Sequence, residues 1–230
     1  MKEFLTESVF FGVFITLFFY EAGLWLKKKW KVAICNPLLI AIVAVIIFLL
    51  AFRIDYATYN EGAKYISYLL TPATVCLAVP LYEQFELLKK NVKAVLAGIV
   101  SGVFTSMTCV FVLALLFKFD HTQYVTLLPK SITTAIGMGV SEELGGYVTI
   151  TVAVIVITGV LGYIMADTIL KWFHIEEPIA KGVAIGSASH AAGTARAMEL
   201  GEIEGAMSSL SIAVSGVLTV FAAMIYSNFI

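Results

Sequence analysis

The chain has 230 residues, 60% of them of hydrophobic type, with 15 basic and 16 acidic side chains, a net charge of −1 and a mean hydropathy of +0.94. Soluble domains carry roughly 45–50% apolar and about 25% charged residues, so a charged share of 13% leaves too little polar surface to cover a globule. An integral membrane protein is expected. No long basic block marks a nucleic-acid binder, and at about 20 residues per crossing the length leaves no room for a separate soluble domain.

Taken in chain order, Ser8–Leu26 is apolar apart from Glu21 and is followed at once by Lys27, Lys28, Lys29 and Lys31. The positive-inside rule puts this cluster in the cytoplasm and the amino terminus outside. A lysine cluster in place of a small-residue cleavage site argues for a first span rather than a signal peptide. Asn36–Phe52 is uncharged, with Pro37 at a good helix start, and predicts the second span. Tyr65–Tyr82 is also uncharged, but Pro72 and Pro80 lie within it. A regular helix there would leave backbone groups unpaired in lipid, so a broken or kinked helix is expected.

Lys89, Lys90 and Lys93 repeat the cytoplasmic signal before the uncharged run Ala94–Phe117, in which Gly98 and Gly102 have the spacing of close helix packing. The stretch from Leu127 to Gly139 is too short and too glycine-rich to span and predicts a segment that re-enters from outside. Leu144–Ala166 gives another span, ended by Asp167, Lys171, His174 and Pro178. Gly182–Ala195 is uncharged apart from His190 but broken by glycines, and Gly205–Ile230 supplies the last span.

The expected fold is therefore all-α: one polytopic transmembrane domain over residues 1–230. It has about five long transmembrane helices plus two or three broken or re-entrant segments. An inverted repeat is suggested by the similar openings Leu69-Leu70-Thr71-Pro72-Ala73-Thr74 and Leu127-Leu128-Pro129-Lys130-Ser131, each followed by a long uncharged helix. Cys35, Cys76 and Cys109 lie apart without metal-ligand or disulfide spacing and read as packing residues.

Polar, glycine-rich sequence at membrane depth is where chemistry is expected, because irregular backbone survives there only when buried in protein or lining a watery cavity. Lys130, Ser131, Thr133 and Thr134 put a cation and three hydroxyls at a half-helix start, which suits a carboxylate. The competing reading makes Lys130 an interfacial anchor and the hydroxyls caps. Ser187, Ser189, His190, Gly193, Thr194 and Arg196 combine close backbone approach, a group titrating near neutrality and a carboxylate-binding fork. The alternative there is close packing of small residues, with His190 bonded to a neighbouring helix. Thr74, beside Pro72, is either a third contributor or part of a simple proline kink. Of the carboxylates, Glu142 and Glu199 are the candidates to neutralise a cation or relay a proton, and Asp167 reads as capping a span.

Catalysis is not expected. The sequence Gly186-Ser187-Ala188-Ser189-His190 lacks the second glycine of a nucleophile elbow, and the chain has no Walker loop, His-Glu-x-x-His or dinucleotide fingerprint, so neither cofactor nor metal is anticipated.

The chain resembles the LrgB/CidB family of bacterial membrane proteins over nearly its whole length. The resemblance rests on Pro72-Ala73-Thr74-Val75 followed by Val79-Pro80-Leu81-Tyr82, on Leu128-Pro129-Lys130-Ser131 with Thr133-Thr134, and above all on the run from Ser187 to Ala197. It implies a multi-pass protein of the bacterial cytoplasmic membrane, able to oligomerise and working with a small LrgA/CidA-type membrane partner. It implies two kinds of activity. One is antiholin-like control of murein hydrolases, lysis and the proton motive force. The other is carriage of small monocarboxylates: glycolate and glycerate, as in the similar plant plastid protein, and pyruvate, as in bacterial relatives. The broken segments beside Lys130, His190 and Arg196 favour carriage of a small organic acid, since a killing pore has little use for them. Lys130 or Arg196 would pair the carboxylate, the hydroxyls would donate to it, and His190 would couple protons.

Overall fold

The computed structural model describes residue 8 and residues 10–30, 35–76 and 78–230, with the side chains at 70, 71, 74, 78, 80 and 81 outside that description. Among the described residues all regular structure is helical: α1 Phe11–Trp30, α2 Pro37–Phe52, α3 Tyr56–Ser67, α4 Leu70–Cys76, α5 Ala78–Glu83, α6 Phe85–Phe117, α7 His121–Leu127, α8 Thr134–Glu143, α9 Val148–Trp172, α10 Pro178–Leu200 and α11 Glu202–Tyr226, closed by a 3-10 turn at Ser227–Phe229. The chain divides into two compact units, Met1–Cys76 and Leu77–Ile230.

In the first unit α2 starts where Asn36 Oδ1 accepts from the Leu38 and Leu39 amides at 2.7 and 3.2 Å, and Pro37 occupies a first-turn position that needs no N–H. It ends on Arg53 in the left-handed conformation. Gly12 lets α1 approach the backbone of Tyr59 and Ala63 on α3, and Gly23 lets it approach Pro37, where a Cβ would sit 2.8 Å from the proline Cα. Phe48 closes the cluster, 6.3 and 5.9 Å from the ring centroids of Phe11 and Phe19. Within the run expected to break around Pro72 and Pro80, α3 ends at Ser67 and α4 begins at Leu70, and residue 77 lies outside the described residues.

In the second unit α6, α9 and α11 with its 3-10 turn are long and apolar enough to cross a membrane. The other two expected long spans are α1, of 20 residues, and α2, an apolar helix of 16. Between the long helices of this unit lie two helical hairpins. The first is α7, a turn over 128–133, and α8. Its base is held by an Asp120–Gln123 capping box. Tyr124 OH donates to the Tyr226 carbonyl at 2.9 Å, and His121 Nδ1 lies 2.7 Å from Ile230 O, so this hairpin enters beside the end of α11.

The second hairpin is α10 itself. Ser189 (φ −135°, ψ 18°) and His190 (φ 43°, ψ −139°) leave helical geometry, and the chain reverses there. Before the break Gly182 faces Glu204 and Met207, and Gly186 faces Ser208. After it Thr194 Oγ1 meets Ser208 Oγ at 2.7 Å, and Gly205 faces Met198. The first half thus climbs beside α11 and the second half descends beside it. Ile185 and Ala197 share one apolar cluster with Ala166 and Leu170, whereas twelve residues of continuous helix would hold them about 18 Å apart. This hairpin enters beside the start of α11, opposite to the first.

A long helix followed by a helical hairpin therefore occurs twice, α6 with α7–α8 and α9 with α10, in opposite senses. The long helices that follow the openings at Leu69 and Leu127 are α6 and α9, and each of them is in turn followed by a helical hairpin. A knot of hydroxyls secures the first hairpin: Thr151 Oγ1 lies 2.9 Å from the Thr126 carbonyl and 2.7 Å from Ser141 Oγ, and Thr126 Oγ1 accepts from the Tyr147 amide at 2.8 Å.

Candidate functional site

The two hairpin tips converge. Lys130 and Ser131 form the first tip, and Ser131 Oγ lies 2.9 Å from Lys130 Nζ and 3.1 Å from Ser106 Oγ on α6. Ser106 is three turns before the end of α6, about 16 Å along the axis, half the roughly 30 Å of a hydrocarbon core. The second tip is Ser189–His190. His190 is buried and donates from Nε2 to the Ile155 carbonyl at 2.9 Å, while the Ile155 side chain reaches back to Gly137 on α8. Lys130 is near enough for its charge to act on the His190 ring, and Cys109 of α6 is within the same reach of Lys130.

Glycine makes the second tip possible. A Cβ at Gly159 would lie 2.7 Å from His190 Cε1 and 2.9 Å from Ala192 Cβ, and one at Gly162 would overlap the Ser189 side chain. Gly159-x-x-Gly162 on α9 is thus the socket of the hairpin tip.

Two half-helices begin at the convergence. α8 starts after Thr133, whose side chain does not cap it, and the second half of α10 starts after His190. Unpaired first-turn amides and the positive ends of both dipoles collect there. Lys130 is half-buried, and among the described residues no carboxylate lies within ion-pair distance of it. The arrangement has the donors and charge to hold a small anion.

The remaining predicted residues divide. Thr133 and Thr134 are half-buried beside Lys130. The hydroxyls of Ser187, Ser189 and Thr194 are turned to their own helix, on the carbonyls of Val183, Ile185 and His190, and Gly193 packs over Ser189. Arg196 lies near the hairpin base, away from the tip. Its fork is engaged by Asp167 through Nη2 and Nε and by Glu199 through Nη1 at 2.6 Å, and Tyr163 OH donates to Glu199 at 2.7 Å. Arg196 is thus paired by carboxylates whereas Lys130, among the described residues, is not, and Asp167 pairs a charge rather than capping a span. The side chain of Thr74 lies outside the described residues.

Sequence reasoning missed Ser106, the socket glycines and the Asp167–Tyr163 share of the clasp. Gly159-x-x-Gly162 inside an apolar run was the available signal for the socket. Nothing in the sequence ties Ser106 to residue 131.

A family model described as the LrgB-like family matches residues 16–229. The chain is similar to the "Antiholin-like protein LrgB" of Bacillus cereus (strain B4264) and of Bacillus anthracis (strain CDC 684 / NRRL 3495), 38% identical over 226 residues in each case, which is 98% of this chain and 98% of the relative. No solved structure matches the chain.

Proposed function

The chain belongs to the LrgB-like family, and we propose that it is a secondary carrier of small monocarboxylates of the pyruvate, glycolate or glycerate type. The observation that carries this reading is Lys130 at a hairpin tip, unpaired by carboxylate among the described residues and beside two half-helix N-termini at mid-depth. A mono-anion of two or three carbons supplies the missing negative charge, and its hydroxyl or keto oxygen finds Ser131, Thr133 or a first-turn amide. Two opposed hairpins allow the site to open to one side at a time, with the clasp of Arg196, Asp167 and Glu199 holding one of them to α9.

His190 is the proton-coupling group in this reading. Its Nε2 proton is fixed on Ile155, so Nδ1 is the atom that takes up a proton, and a charge there beside Lys130 is tolerated best when the anion is bound. In this reading the protein lies in the bacterial cytoplasmic membrane with its amino terminus outside, works with a small LrgA/CidA-type partner and is able to oligomerise.

The test is uptake of labelled pyruvate, glycolate and glycerate into proteoliposomes, with and without a pH gradient, for the wild type and Lys130→Gln. Gradient-stimulated uptake that Lys130→Gln abolishes supports the reading, and uptake at the level of empty liposomes for all three acids ends it. A second reading, control of murein hydrolase activity and lysis in the manner of an antiholin, is favoured by the names that the bacterial relatives carry. It predicts that cell lysis, measured with and without the small partner, responds to this chain even when Lys130→Gln replaces the wild type.

A further inference from the structure

Between α6 and the first half of α10 lies a groove of about 720 Å³, within the range of roughly 300–1,000 Å³ typical of small-molecule sites. Its α6 wall is the helical stripe Asn91, Ala94, Gly98, Ser101 and Thr105, and its α10 wall runs from Glu177 past Ala184 to Ser187 and Ala188. The floor is where the helices touch: a Cβ at Gly98 would be 3.0 Å from Val183 Cγ1, and one at Gly102 would be 3.2 Å from Ser187 Oγ.

Both ends of the groove are informative. At the mouth Asn91 sits among Lys89, Lys90 and Lys93, and Lys181 follows in the first turn of α10. Of the carboxylates at this end, Glu86 pairs with Lys89 at 3.0 Å, Glu176 adjoins Glu177, and Glu177 Oε2 accepts from the Ala180 amide at 2.8 Å. The local excess is positive, which raises the concentration of small anions. At the inner end Thr105 adjoins Ser106, which meets the Ser131 hydroxyl held by Lys130, and Ala188 adjoins the Ser189–His190 break. The next position on the same α6 stripe, Cys109, is the one within reach of Lys130.

We infer that this groove is the aqueous route by which a small organic acid reaches Lys130 from the lysine-bearing end of α6, with Ser101 and Thr105 as intermediate hydrogen-bonding steps. The inference rests on the reading of Lys130 as the carboxylate site. It adds the path, the side of entry and the residues that limit the size of what passes.

The experiment places a cysteine at Ala184 in a chain whose native cysteines are replaced by serine or alanine, with Val100→Cys, on α6 outside the groove, as control. Reconstituted protein is treated with methanethiosulfonates carrying a methyl or a bulky sulfonate group, and uptake of labelled pyruvate is read. The expected result is an at least tenfold loss for Ala184→Cys with the bulky reagent, less than twofold with the methyl reagent, and no loss for Val100→Cys. Unchanged uptake after complete bulky modification overturns the route. So does an Ala184→Cys thiol that does not react with the water-soluble reagent, which is the result expected if a lipid chain or a partner helix fills the groove. Failure of the carboxylate site itself is seen separately, as Lys130→Gln protein that takes up pyruvate with an unchanged KM.

Discussion

The Nε2 of His190 lies 2.9 Å from the carbonyl oxygen of Ile155, and this one bond joins the reversal point of the second hairpin to the middle of α9. Because a carbonyl only accepts, the proton is on Nε2, and because His190 has φ 43° the bond is made from a backbone conformation that costs a residue with a Cβ about 1–2 kcal/mol.

That geometry sets an order of stability among variants. His190→Ala loses the bond, worth about 1 kcal/mol, and keeps the strain, whereas His190→Gly loses the bond and removes the strain. The glycine variant is expected to melt closer to the wild type than the alanine variant in the same detergent, with pH-gradient-driven uptake lost in both. An alanine variant at least as stable as the glycine variant shows that residue 190 does not hold the left-handed turn.

The socket glycines make a second test, because three glycines of this unit meet very different neighbours. Gly159→Ala places a methyl 2.7 Å from His190 Cε1, and Gly162→Ala drives one into Ser189, so each is expected to destabilise by about 1–3 kcal/mol through overpacking. Gly139→Ala in α8 meets nothing within 4 Å and gains up to about 1 kcal/mol of helix propensity. Thermal midpoints of the three variants decide it, and equal shifts at Gly159 and Gly139 would remove the socket from the account.

Much of this arrangement was legible in the sequence, because lipid enforces a simple accounting: a run too short or too glycine-rich to pair its own backbone must be broken and sheltered. The stretches Leu127–Gly139 and Gly182–Ala195 both read as interrupted on that ground, and the hairpin tips fall inside them. The use of Arg196 was not legible. Glu199 reads as a candidate to neutralise a cation, but Asp167 reads as capping a span, and only the reversal at His190 brings residue 196 back along α9 to it. The similar openings at Leu69 and Leu127 point to the helices after them, α6 and α9, as counterparts, but the hairpins that follow those helices in opposite senses leave no mark in shared residues. Ser106 belongs to the same class: one hydroxyl in a long apolar helix has no meaning until residue 131 is placed beside it.

Lys130 separates function from stability. A half-buried cation whose return is one hydroxyl, Ser131 Oγ at 2.9 Å, and no carboxylate among the described residues is poorly compensated for its desolvation, so Lys130→Met is expected to leave the thermal midpoint unchanged or raise it while abolishing uptake. Adding pyruvate should raise the midpoint of the wild type and not that of Lys130→Met, since a ligand stabilises only the state that binds it. Equal stabilisation of both proteins by the acid places the anion elsewhere.

The hydroxyl knot at the first hairpin is a purely structural device. Thr151 is fully buried, and its Oγ1 serves the Thr126 carbonyl and Ser141 Oγ together. Thr151→Val keeps the shape and removes the hydroxyl, leaving Ser141 short of a partner, and is expected to cost about 1–3 kcal/mol of stability while the KM for transported acid stays at the wild-type value. A large rise in KM with no loss of stability would mean that Thr151 faces the substrate path.

The clasp at the base of the second hairpin is the last relationship open to measurement. Arg196 reaches Asp167 on α9 with two of its nitrogens and Glu199 with the third, and the side chains of Arg196, Asp167 and Glu199 are 24%, 39% and 39% exposed. Water at that exposure screens the pairs, so the Arg196–Asp167 coupling is expected to be about 0.5–1 kcal/mol and not the several kcal/mol of a buried pair. A double-mutant cycle of Arg196→Ala and Asp167→Ala, read by thermal unfolding, measures it directly. Arg196→Lys should restore little, since an ammonium cannot bridge two carboxylates in the fixed geometry of a guanidinium. The exchange Arg196→Asp with Asp167→Arg should do worse than either single alanine change, because it sets the new aspartate beside Glu199. A coupling of zero, with the exchange variant as stable as the wild type, would show that the hairpin is held to α9 by the packing of Gly159 and Gly162 alone.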